Sequence, residues 1–260
     1  MRHQTLGQHP GQHPENHAAD RLANSEGITR DELDAVALVS QQKSAAAESQ
    51  PDLLRSRIAV RNADGEILLA QEECIRPATD ADGLGAMAPA FGALQQQYED
   101  ALGGETFEPL HSLSHAPPVC DGAGLALIGK SERSDSKPRA RIVAFAECGG
   151  DPELSLTAGL AAMDKVLEKA GLPLADMDRI EFMESFAVTI AKFLRDYPVA
   201  SSKVNVSGGH VAKGHPMGAT GAILLSTLLD CLDAVEGRFG LVVTSGASGV
   251  GAAMIVERLG

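Results

Sequence analysis

The chain is poor in aromatic residues and in cysteine. It has no tryptophan and two tyrosines, and aromatic residues make up 3% of its 260 residues. A core of this composition must be aliphatic and rich in alanine. The four cysteines, which form no C-x-x-C pair, fit neither a zinc site nor the disulfide framework of a small secreted domain. This cysteine usage predicts a reducing compartment, the cytoplasm.

Long apolar runs and an excess of positive charge are also absent. No apolar run approaches the roughly 18 residues that a membrane helix needs, and the first residues lack the apolar core of a signal peptide. The formal net charge is −13 at pH 7, which argues against nucleic acid or an anionic membrane as a bulk partner. A local basic cluster can still bind an anionic small molecule, so the charge does not exclude such a ligand.

Composition and patterning divide the chain into four segments. They are a disordered leader at 1–17, a mixed α+β region at 18–118, a strand followed by a linker at 119–137, and an α/β domain at 138–260. The leader is polar, rich in Gly, Pro and His, and without periodicity, which is typical of disorder.

Two local signals predict structure in the second segment. Thr29, followed three residues later by Glu32, forms a capping box that predicts the start of a helix. Two short apolar runs surround a turn sequence that begins at Asn62, which predicts a hairpin over residues 57–71. A further helix is expected near residues 94–101.

The last segment alternates strands and helices at the short spacing of an α/β domain. Strands are expected at 122–130, 141–147, 179–183, 203–206, 239–245 and 251–258, and helices at 156–170, 185–196 and 218–235. The last of these helices carries apolar residues on almost every side. Such a helix is normally buried between two layers, so we expect it to lie between two sheets.

One segment has a specific resemblance. VNVSGGHVAKGHPMGATGAILL at 204–225 is similar to the thiolase signature, in which N-x-x-G-G leads to G-H-P and then to G-A-[ST]-G. Further blocks match in order: VCDGAGLAL (119–127), GDPELSLTAG (150–159), IEFMESFA (180–187) and TSGASGVGAAMIVER (244–258). The resemblance covers about residues 14–260. It implies an α/β fold: the C-terminal half of the thiolase fold, a mixed sheet with helices on both faces, preceded by an α+β loop domain.

The resemblance also implies an activity. Thiolases make and break carbon–carbon bonds in acyl-CoA thioesters, so we expect a thiolase-type acyl-CoA acyltransferase of lipid metabolism such as β-oxidation. It needs no cofactor and no metal, because the coenzyme A thioester is the substrate. The family nucleophile is a cysteine of the N-terminal domain, upstream of the matched region. None of Cys74, Cys120, Cys148 and Cys231 falls in a matching motif, so this chain alone is expected to be inactive.

Three residues stand at the catalytic positions of the family. His215 matches the histidine that activates the nucleophile and helps to form the first oxyanion hole. Met183 stands where the family usually has Asn or His, and a thioether is only a weak acceptor. Ser245 stands at the second catalytic cysteine, and an alcohol is a far weaker acid than a thiol, whose pKa is about 8.5. Ser245 therefore either ends a strand or keeps a residual role.

Three further residues stand at substrate-binding positions. Arg76, in EECIRPATD, matches the loop-domain arginine that contacts the nucleotide end of CoA. Pro117 stands at the serine that contacts pantetheine, and Phe186 matches a phenylalanine of the acyl pocket. The resemblance thus implies a substrate tunnel that persists while the chemistry is impaired.

Three interpretations remain open. The first is an acyltransferase polypeptide that needs a separate nucleophile-bearing half, with a homo-oligomer or a complementary thiolase N-terminal subunit as its partner. The second is a non-catalytic acyl-CoA-binding or assembly subunit, which Met183 and Ser245 favour. The third is a truncated, inactive thiolase fragment. The resemblance implies that the strand at 122–130 belongs to the sheet of the thiolase N-terminal domain, whose other strands are not matched. We therefore expect unpaired backbone groups there and association with another chain.

Overall fold

Two helices and a small hairpin form the first part of the fold. The computed structural model describes residues 15–93, 105–130, 137–152 and 155–260. The elements of this part are α1 (Glu15–Glu26), α2 (Arg30–Ala47), β1 (Val60–Arg61), β2 (Ile67–Leu69) and α3 (Ala81–Gly85). α1 starts inside the predicted leader, and residues 1–14 lie outside the described ranges.

The local signals of this part are confirmed. The Thr29 hydroxyl accepts from the Glu32 N–H, and the Glu32 carboxylate accepts from the Thr29 N–H at 2.7 Å. This reciprocal pair satisfies two donors that a helix start leaves free. In the hairpin, the Asn62 side-chain oxygen accepts from the Glu66 N–H at 2.9 Å, and Gly65 has φ +85°. The turn therefore needs glycine at that position.

A four-stranded mixed sheet forms the centre of the second part. Its strands are β3 (Ala140–Gly149), β4 (Arg179–Phe182), β5 (Phe239–Gly246) and β6 (Val250–Arg258), in the spatial order β3-β6-β5-β4. β6 pairs antiparallel with both β3 and β5, whereas β4 pairs parallel with β5. The expected mixed sheet is confirmed.

Helices cover both faces of this sheet, because alternate strand residues point to opposite sides. On one face, Leu241 and Ile255 pack against Met163 of α4 (Ala158–Ala170). On the other face, Val242 packs against Leu228 of α7 (Thr220–Asp233). Two further α-helices of the described residues are α5 (Ala187–Asp196), which contacts α1 and α2, and the short α6 (His210–Lys213).

Two expected strands are not formed. Residues 122–130 have no ladder partner within the described ranges, and the nearest bridge joins Val119 to His215. A strand exists only through pairing, so these residues stay exposed. At 203–206, Val204 forms a single bridge to Ile180. The chain turns at Asn205, which has φ +44°, and a ladder cannot continue through that conformation.

The expectation that α7 lies between two sheets is wrong for the described residues. One face packs on the four-stranded sheet, whereas another is contacted by the segment that contains Gly122 and Gly124. A Cβ at Gly124 would lie 2.7 Å from Ala222 Cβ, and one at Gly122 would lie 2.8 Å from Pro216. Only glycine permits this approach. Beyond it, Leu125 and Leu127 are each 94% exposed.

Some expectations lie outside the described residues. These are most of the leader, the helix near 94–101 and most of the polar linker after residue 130. Among the described residues, no helix has both the length and the apolar character needed to cross a membrane.

Candidate active site

A cavity of about 860 Å³ opens where β3, β5 and β6 meet the turn that carries His215. Its wall includes Met183, His215 and Ser245. The structure therefore brings together the three residues that the sequence placed at catalytic positions. They come from separate places in the chain: the end of β4, the turn before α7, and β5.

His215 is held at its backbone and at one ring nitrogen. Its N–H donates to the Pro118 carbonyl at 2.9 Å, and its Nδ1 lies 2.7 Å from the Thr220 hydroxyl. The ring is half-buried, and burial lowers the pKa of the imidazole below its ordinary value. A lowered pKa keeps the ring neutral near pH 7 and able to accept a proton. With Nδ1 bound to Thr220, Nε2 is the nitrogen for proton transfer.

Ser245 is tied to the start of α4. Its hydroxyl accepts from the Gly159 N–H at 3.2 Å, and the residue is 8% exposed. A Cβ on Gly159 would lie 2.4 Å from the Ser245 oxygen, so glycine is needed for this approach. The hydroxyl can still donate its own proton toward the cavity. Both interpretations of Ser245, as a strand end and as a residual polar group of the site, are compatible with this position.

Met183 places a thioether in the cavity wall. Its N–H donates to the Val243 carbonyl at 2.9 Å, which extends the β4–β5 pairing by one residue. The side chain is 7% exposed and joins the apolar cluster beneath α7. A thioether cannot donate a hydrogen bond, so this position contributes apolar wall.

The substrate-binding candidates lie apart from this wall. Phe186 packs edge-on against Phe91 and His111, with ring centroids 6.5 Å and 6.0 Å away. It is absent from the residues that line the cavity. Pro117 is half-buried in the segment just before the Pro118 carbonyl that holds His215. It therefore lies near the turn and not in the wall.

Arg76 is exposed, and its guanidinium folds back onto its own turn. Nη1 donates to the Cys74 carbonyl at 3.2 Å, while the Arg76 N–H donates to the Gln41 side-chain oxygen at 2.7 Å. The Thr79 hydroxyl donates to the Arg76 carbonyl at 2.8 Å. The backbone of this turn is thus fixed to α2, and most of the guanidinium donors remain available.

Sequence reasoning missed Cys148 as a cavity residue. Cys148 on β3 and Ser245 on β5 are both opposite Gly251 of β6. Directly opposite residues point to the same face, so Cys148 and Ser245 flank one position without a side chain. Cys148 is half-buried and lines the cavity. In the sequence, Cys148 is marked only by its position next to the GGDPELS block. That block does not predict which residue of β6 pairs with Cys148.

The other cysteines differ in environment. Cys231 is buried on α7, and desolvation raises the pKa of its thiol far above the ordinary value. Burial also raises the pKa of Cys120, whose sulfur lies 2.5 Å from where a Cβ on Gly214 would be. Neither environment favours a thiolate. Among the described residues, no group of three or more His, Cys, Asp or Glu side chains is arranged to hold a metal ion.

Family models match most of the chain. The model of the thiolase C-terminal domain matches residues 136–258, and that of the thiolase N-terminal domain matches residues 3–94. The chain belongs to the thiolase family.

Curated relatives of this chain include proteins named acetyl-CoA acetyltransferase and proteins named 3-ketoacyl-CoA thiolase. The chain is 36% identical over 248 residues to an acetyl-CoA acetyltransferase of Allochromatium vinosum and 35% identical over 260 residues to one of Escherichia coli. It is 30% identical over 250 residues to a 3-ketoacyl-CoA thiolase of Idiomarina loihiensis. These alignments cover 93%, 98% and 93% of this chain, but the chain spans only 59%, 61% and 61% of those relatives.

Solved structures agree with this assignment. The acetyl-CoA acetyltransferase of Bacillus anthracis superposes with a TM-score of 0.80 at 25% identity. Human mitochondrial 3-ketoacyl-CoA thiolase superposes with a TM-score of 0.80 at 26% identity. Each comparison covers 95% of this chain and 60% of the other. The thiolase fold expected from the sequence is confirmed.

Proposed function

We propose that this chain is part of a thiolase-type acyl-CoA acyltransferase, acting on coenzyme A thioesters in lipid metabolism and located in the cytoplasm. The observation that carries the proposal is that His215, Met183 and Ser245 line the same cavity. The relatives named acetyl-CoA acetyltransferase and 3-ketoacyl-CoA thiolase support it. The proposal requires no cofactor and no metal.

In this function, His215 acts as general base and as an oxyanion donor. The neutral ring takes the proton of a nucleophilic thiol at Nε2 and then presents an N–H to the thioester oxygen. The Thr220 contact at Nδ1, 2.7 Å long, fixes the ring while this happens. Ser245 supplies a hydroxyl on the β5 side of the same cavity. Arg76 offers its free guanidinium donors to the phosphates of CoA.

The nucleophile is proposed to come from a second polypeptide. The candidate thiols of this chain are in environments that keep them protonated or stand in no nucleophile motif. A complementary thiolase N-terminal subunit would bring the cysteine to the side of the cavity where His215 is exposed. A homo-oligomer is the alternative arrangement for covering the same surface.

Exposed apolar residues support the need for a partner. Leu125 and Leu127 are 94% exposed, on a segment that has no strand partner among the described residues, and Val119, which bridges to His215, is 85% exposed. On the α7 side of the sheet, Phe145 is 41% exposed. Large apolar side chains left this exposed are typical of an interaction site. Covering it stabilises the assembly by roughly 25 cal/mol per Å².

Reconstitution tests the proposal. The chain is assayed for thiolysis of a 3-ketoacyl-CoA alone and with the part of the Escherichia coli relative that it does not span. We expect no turnover by the chain alone and measurable turnover by the mixture, lost again with His215→Ala. Turnover by the chain alone, abolished by replacing one of its own cysteines, would refute the need for a partner. A stable complex without turnover would refute the catalytic proposal.

A second candidate function is a non-catalytic acyl-CoA-binding subunit. The thioether of Met183 in the cavity wall favours it, because no donor is available there to hold an oxyanion water. This candidate predicts CoA binding by calorimetry without turnover in any mixture. If CoA does not bind at millimolar concentration to the folded chain, the binding-subunit function is excluded.

A further inference from the structure

A fully buried carboxyl group lies beneath the turn that leads to His215. Glu184 is 3% exposed and accepts three hydrogen bonds from three separate elements. Its Oε1 accepts from Asn205 Nδ2 at 2.9 Å, and its Oε2 accepts from the Ser40 hydroxyl at 2.8 Å and from the Val211 N–H at 3.1 Å. One side chain thus joins α2, α6 and the segment between α5 and α6 that carries Asn205.

The turn before α6 is built around this group. A Cβ on Gly209 would lie 2.0 Å from the carboxyl carbon of Glu184, and one on Gly208 would lie 1.9 Å from the Ser44 hydroxyl. Gly208 also has φ +84°, a conformation that glycine adopts readily. The Gly209 N–H donates to Ser40 at 3.2 Å. The two glycines therefore let the turn press directly against α2 and the carboxyl group.

A short rigid path connects this turn to His215. α6 closes with a hydrogen bond from the Gly214 N–H to the His210 carbonyl at 2.8 Å, and His215 follows immediately. The rings of His210 and His215 meet edge-on with centroids 5.8 Å apart. His210 is 5% exposed. A buried ring in this position limits where the His215 ring can lie.

We propose that Glu184 is the positioning residue of the site: through Val211 and the α6 turn, it sets the orientation of the His215 ring. This role deepens the proposed function and rests on it for the catalytic use of His215, whereas the geometry is testable without catalysis. Glu184 itself is not among the residues that line the cavity, so it does not touch a substrate bound there.

The contacts require an acceptor at both carboxyl oxygens. Asn205 cannot reverse its amide, because its Oδ1 accepts from the Phe182 N–H at 2.8 Å and its Nδ2 donates to the Phe182 carbonyl at 2.9 Å. The Val211 backbone can only donate. A glutamine at position 184 has one NH₂ group and one oxygen. In one orientation the NH₂ group faces Asn205 Nδ2, and in the other it faces the Val211 N–H. Each such mismatch leaves a buried donor unpaired, which is costly.

Nuclear magnetic resonance of the histidine rings tests the proposal on the full chain. The ring signals of His215 are assigned by their loss in His215→Ala, and their titration is followed in the wild type and in Glu184→Gln. We expect the His215 pKa, lowered by burial in the wild type, to rise toward the ordinary value of about 6.5 in the variant. The ring signals should also broaden, because the orientation is no longer fixed.

Glu181→Gln is the matched control. Glu181 is 2% exposed on β4; its carboxylate approaches Cys231 on α7 at 3.9 Å, and it acts on Lys213 of α6 through charge rather than through the Val211 N–H. The control should leave the His215 signals unchanged. If Glu184→Gln does not fold, Ser40→Ala removes one of the contacts to Oε2 and should give a smaller shift in the same direction. Unchanged His215 signals in a folded Glu184→Gln or Ser40→Ala chain overturn the proposal, whatever the acyl-transfer assay shows.

Discussion

The Ser245 hydroxyl lies 3.2 Å from the Gly159 nitrogen and accepts its hydrogen bond, so the residue that the sequence motif predicts at the second catalytic position is anchored to the start of α4. A thiol at this position is close to the same N–H, at the positive end of a helix, which favours a thiolate.

The first prediction follows from this contact. In the reconstituted mixture, Ser245→Cys should raise the rate of thiolysis by about 10²-fold, because a thiol is a far better proton shuttle than an alcohol. Steady-state kinetics with a 3-ketoacyl-CoA measures the effect. Ser245→Ala is the control and should show no gain. Equal rates for the cysteine and alanine variants would contradict a role for this position.

The second prediction concerns His215. His215→Ala should lower turnover of the reconstituted mixture by roughly 10²-fold or more, since base activation and oxyanion stabilisation are both lost. Thr220→Val is the milder variant: it removes only the Nδ1 contact and should retain part of the activity. Binding of the second chain, measured by sedimentation, should be the same for both. An His215→Ala mixture with wild-type turnover would show that the family role does not apply.

The third prediction concerns pH. Burial raises the pKa of the Glu181 carboxyl to about 8, above its value in the unfolded chain. The folded state therefore binds this proton more tightly, and the associated stability is lost as pH rises toward and through 8. Glu181→Gln should reduce the fall in unfolding free energy between about pH 6.5 and pH 8.5. Urea denaturation at the two pH values measures it. An identical fall in wild type and variant would show that Glu181 does not keep its proton.

The fourth prediction concerns thiol reactivity. Burial raises the pKa of both Cys231 and Cys120, so accessibility is what separates the thiols: Cys231 is buried, whereas Cys74, Cys120 and Cys148 are half-buried. A thiol reagent should therefore modify three of the four cysteines of the folded chain. Cys148→Ser should lower the count by one, and Cys231→Ser should leave it unchanged. Rapid modification of Cys231 in the native chain would place α7 away from its sheet.

The fifth prediction concerns association. Leu127→Lys should shift the chain toward monomer in sedimentation at micromolar concentration, because it places a charge on the exposed segment. Val235→Lys is the control, since Val235 is 46% exposed but follows the C-terminal end of α7, whereas the segment with Leu127 approaches α7 at Ala222. A wild-type chain that is already a compact monomer and binds no hydrophobic dye would contradict the expected association.

Local and periodic signals predicted most elements of this fold. The capping box of Thr29 and Glu32 and the turn at Asn62 depend only on neighbours in sequence, so both were predictable. The strand expected at 122–130 was not, because a strand needs a partner that no pattern within it can supply. The strand expected at 203–206 is not formed for a different reason: Asn205 adopts a positive φ, which an alternation of apolar residues does not encode.

The candidate site, too, was only partly predictable from the sequence. His215, Met183 and Ser245 were placed by motif, and the structure brings them to one cavity. Cys148 joins them only through the pairing of β3 and β5 with β6 at Gly251, which depends on register. Glu184 is adjacent to Met183 in the same motif, yet its function depends on contacts with residues far away in the chain. Strand register and long-range hydrogen bonds cannot be predicted from the local sequence.

The Asn205 side chain has a further consequence for how the molecule meets other chains. Its amide oxygen accepts from the Phe182 N–H at 2.8 Å, and its amide nitrogen donates to the Phe182 carbonyl at 2.9 Å. The side chain thus takes the place of one backbone residue of a neighbouring strand. Together with the Val204 bridge to Ile180, it caps the outer border of the sheet. A further strand would therefore find no free backbone donor or acceptor at Phe182. Addition of a further strand to this sheet is thereby directed to β3, on the opposite border.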